Sequence, residues 1–394
     1  MRKIIILYLL TGLGHFREAE AVEFALREAG HEVELVDPLD YYRKTSPGTF
    51  SFTIADLVYR FMMFWWAFSS RFDFFAKVEG FSESRGLNFY IVKAFSFVCK
   101  WAGTFFSRRV NSAPFLDNCE IVVSIHPITS IFALGYRREK NYRVFNVIAD
   151  EIGISAGQYL YVEGCETFVN SQKSKETLLK LGADGNQVQV IGHPLHPTLV
   201  DHREQIFKRV QTSISQNQIT LGLFIGLFKP AHQQKGLLGV IRELKPEIES
   251  GQIKIKILTC GHKDFEAKLA GLLNSLGIHQ QVKIYNSGNP ADVTQTALTW
   301  VLEDVNVMFS RPSELVFYSL GLGIPHILFD PVGPQEVDMM FLLKQRAGVK
   351  LYKEVKDNLA GYLQDSNGLL KVSSGLYGSN YPVNGANEIL KYLN

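Results

Sequence analysis

The sequence predicts an α/β protein built from two doubly wound domains, and three observations carry that expectation. Ile4–Leu10 is an unbroken apolar run that passes straight into Thr11-Gly-Leu-Gly-His15 and then into a helical pattern. This is how a strand covered on both faces feeds a helix. Strand and helix patterns keep alternating through the first half of the chain, which implies parallel pairing. The alternation pauses over a polar stretch and restarts at Ile219. A chain of 394 residues therefore divides into two arrays rather than one oversized core.

Taken in order, the small and apolar residues of Phe16–Ala29 repeat at helical spacing, and Gly30 supplies a left-handed cap. Val33–Val36 is the second strand. Cys119–Pro127 and Tyr142–Asp150 each read as a strand running into a loop. Thr167–Ala183 reads as strand, turn and helix, followed by a strand and loop over Gln189–Pro197. The second array has strands at Ile219–Gly226, Ile253–Gly261, Gln280–Gly288, Val305–Arg311 and Pro325–Pro331, with helices over Gly236–Glu249 and Lys263–Leu276 between the first three. The expected boundaries are a first domain over 1–197, a linker over 198–217 and a second domain over 218–375. A C-terminal helix over 376–394 can return to the first domain. In such sheets ligands sit outside the carboxyl ends of the strands, so the two domains should face one another across a cleft lined by their loops.

Composition narrows the function classes. Net charge is +2, too balanced to imply nucleic acid. The four cysteines, Cys99, Cys119, Cys165 and Cys260, are scattered without a C-x-x-C pair. They read as reduced, mostly buried thiols of a cytosolic protein, not as a disulfide frame or zinc site. Arg2-Lys3 and the short apolar run after them lack the small-residue cleavage site of a signal peptide. No stretch of 18 uninterrupted apolar residues occurs, which argues against a spanning helix.

Residues 41–113 interrupt the pattern with ten Lys/Arg against four Asp/Glu, and Tyr59–Phe75 carries nine aromatics in seventeen residues. Such density, with Trp65 and Trp66 at its centre and Arg60, Arg71 and Lys77 around it, suits a helical insertion lying on an anionic membrane surface. Phe89–Arg109 has the same character. Core-facing helices of an inserted subdomain are the other reading of both segments.

Several residues could carry chemistry. Gly12 and Gly14 let a ligand approach the backbone at a helix N-terminus. The loop lacks the third glycine of a dinucleotide fingerprint and the Gly-Lys-Ser/Thr of a P-loop. His15, in the first helical turn, is a candidate general base towards a hydroxyl; a histidine there can equally cap the helix or pack the loop. In Phe309–Asp338, Arg311 and Ser313 would stand at a helix N-terminus suited to phosphate. Glu314 and the Gln335-Glu336 pair offer acceptors for sugar hydroxyls, although Glu314 also serves as a first-turn acid on the helix dipole.

The order of "TGLGH", "FVNSQKSKETLLKLGA…VQVIGHP" and "SRPSEL…GLGIPHILFDPVGPQE" resembles family 28 glycosyltransferases of GT-B fold. That group includes monogalactosyl- and glucosyl-diacylglycerol synthases and the lipid II N-acetylglucosaminyltransferase. The resemblance implies a Rossmann-like N-terminal domain that meets the acceptor, with His15 as base and with Gly12, Gly14 and the insertion's Trp65 and Trp66 towards a lipid. It implies a C-terminal domain holding a nucleotide-diphosphate sugar, expected as a UDP-sugar, through Gly226, Lys229, Arg311, Ser313, Glu314, Gln335 and Glu336. It further implies inverting transfer without a metal or other cofactor, no obligate protein partner, and a peripheral place on the cytoplasmic face of a membrane. The chain departs from the family at Ser313-Glu314, where a glycine pair is usual, at Ser319, near a usual glutamate, and at Met339, in place of an asparagine. Two alternatives stay open: a catalytically silent GT-B module that binds a nucleotide sugar or lipid, and a UDP-amino-sugar epimerase.

Overall fold

The structure is a computed structural model that describes residues 1–10, 12–45, 113–137, 141–151, 161–226, 231–331 and 334–393. Trp65, Trp66, nearly all of the expected insertion and Lys229 lie outside the described residues. Two compact units form. The first comprises Met1–Pro197, Gly333–Asp338 and Pro382–Asn394, and the second Thr198–Val332 and Met339–Tyr381.

The first unit runs β1 (Lys3–Leu7), α1 (Leu13–Glu28), β2 (Glu32–Val36), α2 (Pro38–Thr45), β3 (Ile121–Ser124), α3 (Pro127–Arg137), β4 (Arg143–Ile148), β5 (Glu166–Val169), α4 (Gln172–Lys180) and β6 (Val188–Val190). Its six strands lie in the order β2-β1-β3-β4-β5-β6, all parallel. The apolar run of β1 explains why it sits inside. Ile4 and Ile6 point to one face, where Val22 and Leu26 of α1 pack, while Ile5 and Leu7 point to the other, against Leu116 and Tyr136. Each of these four β1 side chains is fully buried, contributing about 1.5–3 kcal/mol apiece relative to exposure.

The second unit begins with α5 (Pro197–Asp201) and α6 (Arg203–Ser215). It continues with β7 (Ile219–Phe224), α7 (Ala231–Glu243), α8 (Lys245–Glu249), β8 (Ile253–Thr259), α9 (Lys263–Leu276), β9 (Val282–Asn286), α10 (Pro290–Glu303), β10 (Val307–Ser310), α11 (Leu315–Leu322) and β11 (His326–Leu328). Then come α12 (Pro334–Ala347), whose residues up to Asp338 group with the first unit, β12 (Lys350–Leu351), α13 (Tyr352–Val355), α14 (Leu359–Gln364) and α15 (Ser366–Gly378). Its sheet has the order β12-β11-β10-β7-β8-β9 and is again parallel throughout.

Three local expectations change. Residues 198–217, expected as a polar linker, are mostly helical, because Ile206, Val210 and Ile214 recur every four residues and bury one stripe of α6. Arg209 ties that helix in by donating to the carbonyls of Val301 and Val305 at 2.8 and 3.0 Å, at the C-terminal end of α10, where a cation is favoured. The single helix expected over Gly236–Glu249 starts earlier, at Ala231, and divides where Pro246 stands in the first turn of α8.

The C-terminal helix expected over 376–394 is instead broken. α15 stops at Gly378, Asn380 turns through φ +49°, and only α16 (Gly385–Glu388) and a 3₁₀ turn over Ile389–Tyr392 follow. Ala386, Ile389 and Leu393 of this last segment join the first unit's core beside Ile121 and Phe168. Gly192 makes the docking possible. Its φ is +86°, and a Cβ there would lie 2.8 Å from the carbonyl oxygen of Pro382, so only glycine admits the returning strand of backbone.

Candidate functional site

Each sheet reverses direction once. In the first unit the chain goes from β1 out to β2, then returns to β3 on the other side of β1. The loops after β1 and β3 therefore part, leaving a crevice at their carboxyl ends. Gly12 caps α1 there with extended backbone and no side-chain cap; a Cβ on it would meet nothing within 4 Å. Among the described residues the place is open, not packed. His15, three residues into the chain beyond that cap, stands in the first turn of α1. Its ring meets that of His126 edge to face, with centroids 5.1 Å apart, and its Nδ1 lies 3.4 Å from Oε2 of Glu18 one turn on.

His126 is rigid. Its carbonyl accepts from the Ser124 and Thr129 hydroxyls at 2.9 and 2.8 Å. Its Nδ1 accepts from the Ile128 N–H at 3.2 Å, so the ring proton belongs on Nε2. Burial and then the neighbouring His15 ring hold its pKa well below the usual histidine value, and it stays neutral. Further along the same edge, Ser171 donates to the buried Glu151 carboxylate at 3.0 Å. The Nδ1–H of His193 reaches the Ala149 carbonyl, also at 3.0 Å. Two histidines and an acid thus converge at the switch point, with Glu151 after β4 and His193 after β6 further along the same sheet.

In the second unit the reversal falls between β7 and β10. A cavity of about 20 Å³ opens at their carboxyl ends, lined by Phe224, Gly226, Gln233, Phe265, Arg311 and Phe329 among others. Arg311 leads into α11, whose first turn follows Ser313 and Glu314; Glu314 occupies the N-cap without capping through its side chain. The loop is held from below by His326, which is fully buried. The Ser310 hydroxyl donates to the Arg311 carbonyl at 2.7 Å. His326 Nε2–H then donates to Ser310 at 2.8 Å, while Ser319 donates to Nδ1 at 2.9 Å. Burial pushes the His326 pKa down to about 3, so this relay keeps one tautomer across ordinary pH.

The structure thus brings Gly226 and Arg311 onto one cavity and sets Gly12, Gly14 and His15 together at the other switch point. Ser313 and Glu314 adjoin Arg311 in the chain without lining the cavity. Gln335 and Glu336 open α12, where Glu336 is buried. Sequence reading passed over Glu18, His126, Glu151, Gln233 and His326. Two of these carried a signal. His126 stands between a strand and a proline, and Gln233 falls in phase with Leu237, Val240, Ile241 and Leu244, all buried. Among the described residues no group of three or more His, Cys, Asp or Glu side chains is arranged to hold a metal, and no helix is long and apolar enough to cross a membrane.

No protein-family model matches the chain, and no curated protein matches it by sequence. Solved structures do match over nearly its full length. MnaA of S. aureus, solved with UDP, superposes with a TM-score of 0.56 at 12% identity, covering 100% of this chain and 97% of that one. A putative UDP-N-acetylglucosamine 2-epimerase from Listeria monocytogenes gives 0.55 at 13% identity, covering 99% and 94%. MurG of Acinetobacter baumannii gives 0.53 at 12% identity, covering 100% and 99%. The chain has the GT-B fold. Its two parallel six-stranded sheets are the two Rossmann-like halves of that fold, and the two sets of loop residues described above mark the GT-B switch points.

Proposed function

We propose that this GT-B protein is an inverting glycosyltransferase that moves a sugar from a UDP-sugar to the hydroxyl of a membrane-associated lipid, without a metal. The observation that carries the reading is the different chemistry of the two switch points. The first offers neutral imidazole and carboxylate groups suited to handling a proton; the second offers Arg311 and the α11 N-terminus, suited to a diphosphate. The acceptor oxygen attacks the anomeric carbon from the face opposite the diphosphate as the carbon–oxygen bond to UDP breaks. His15 takes the acceptor's proton. Arg311, with Lys229, and the first turn of α11 offset the charge gathering on the departing diphosphate. The lipid acceptor and a peripheral place on the cytoplasmic face of the membrane rest on the aromatic and basic character of residues 41–113, with Trp65 and Trp66 as the anchors.

The test is transfer of labelled sugar from UDP-glucose, UDP-galactose or UDP-N-acetylglucosamine to diacylglycerol in anionic vesicles, with EDTA present. His15→Ala should lower turnover at least about 100-fold, the usual weight of a general base. Full turnover in that variant would remove His15 from the mechanism. The meeting of His15, His126 and Glu18 also favours a second reading, a UDP-amino-sugar epimerase, which needs acid and base groups around the sugar. Conversion of UDP-N-acetylglucosamine to its 2-epimer in the absence of any acceptor would select that reading. The same samples pelleted with vesicles, beside a Trp65→Ala/Trp66→Ala variant, report on the membrane contact.

A further inference from the structure

One side chain in the second unit's cavity is out of keeping with its surroundings. Gln233 lies in the first turn of the thirteen-residue α7 and is only 7% exposed. It is in phase with a buried apolar stripe, and Phe224, Phe265 and Phe329 help to wall the cavity it lines. Its terminal nitrogen has no hydrogen-bond partner among the described residues. Folded chains rarely leave a buried amide N–H unmet unless something outside the chain fills the position. Leucine or methionine at this point of the helix would pack without that penalty.

We infer that Gln233 is a binding residue for the donor, its amide donating to an anionic oxygen of the diphosphate that enters the cavity beside Arg311. The inference rests on the nucleotide-sugar reading above and adds a residue to it. Size decides which part of a nucleotide sugar fits. A cavity of about 20 Å³ has room for one or two water-sized groups, which suits a phosphate oxygen. Charge agrees, since Arg311 lines the same space. Space agrees too, because among the described residues a Cβ on Gly226 would meet nothing within 4 Å. Phe224, Phe265 and Phe329 lower the local dielectric, and a hydrogen bond made in such surroundings is stronger than one at the surface.

Calorimetric titration of the full chain with UDP, UMP and uridine tests this, using wild type, Gln233→Leu and Gln233→Glu. Gln233→Leu should weaken UDP between roughly 10- and 100-fold, the weight of a hydrogen bond to a charged group, and leave uridine unchanged. Gln233→Glu should weaken UDP further, since a carboxylate repels a phosphate oxygen; tighter or equal binding by that variant would mean a hydroxyl, and overturn the assignment. Without ligand, Gln233→Leu should melt at or above the wild-type temperature; a lower melting point would show that the amide is already satisfied within the chain and overturn the inference. If wild type binds UDP and Gln233→Leu binds it equally well, the amide meets a trapped water only, and this inference falls alone. If wild type binds no nucleoside diphosphate, the nucleotide-sugar reading falls and takes this inference with it.

Discussion

Glu20 lies on α1 five residues beyond His15 and its side chain is half-buried. Desolvation, reinforced by Glu23 and opposed by Arg17, raises its carboxyl to about 7. A carboxyl raised in the folded state binds its proton more tightly there than in the unfolded chain. Stability therefore falls as pH rises from about 4.5 to 7, and the cost stays in place above that. Glu20→Gln should be more stable than wild type by about 1–2 kcal/mol at pH 8, after allowance for solvent screening, and equal to it at pH 4. Urea titrations at the two pH values check this; equal stability at both would remove the argument. At this scale the sequence was legible wherever a residue's place in the fold follows from its neighbours in the chain. His15 after Gly12-x-Gly14 and Arg311 before a helix are such cases. Glu18, His126 and His326 acquire their roles from packing across turns and strands, and nothing in a linear reading ranks them above other polar residues.

Among the elements, α6 shows how little apolar sequence a helix needs. Ile206, Val210 and Ile214 are its only buried side chains, set among polar residues that read as a linker. Spacing outweighs composition here, because three residues four apart share one face. Ile214→Ala should cost about 2–4 kcal/mol, seen as a lower urea midpoint with the slope unchanged; a loss below about 0.5 kcal/mol would mean α6 is not part of the folded unit. The strands were far easier to read. β1, β3, β7 and β10 are short, mostly apolar and bounded by glycine or polar turns, so period and length agree. The break after α15 was not readable, because it depends on a left-handed turn at Asn380 and on Pro382 meeting Gly192, which lies 190 positions earlier in the chain.

For the whole molecule, the two arrays and their parallel sheets followed from the restart of the pattern at Ile219, but the route of the last residues did not. Deleting Pro382–Asn394 removes Ala386, Ile389 and Leu393 from the first unit's core. It should cost at least about 3 kcal/mol, falling on that unit's unfolding transition in calorimetry; an unchanged thermogram would show that the segment only decorates the surface. A UDP concentration 100 times its dissociation constant should instead add about 2.7 kcal/mol to the second unit, so the two perturbations separate the units by experiment. The returning segment also governs the order of events during synthesis. The strands of the first unit's sheet are all translated before Pro197, yet the residues that close its core come only after the second unit has been made. At roughly 5–20 residues per second, the nascent chain carries an open apolar face for about 10–40 s, the interval in which a ribosome-associated chaperone has its reason to hold on.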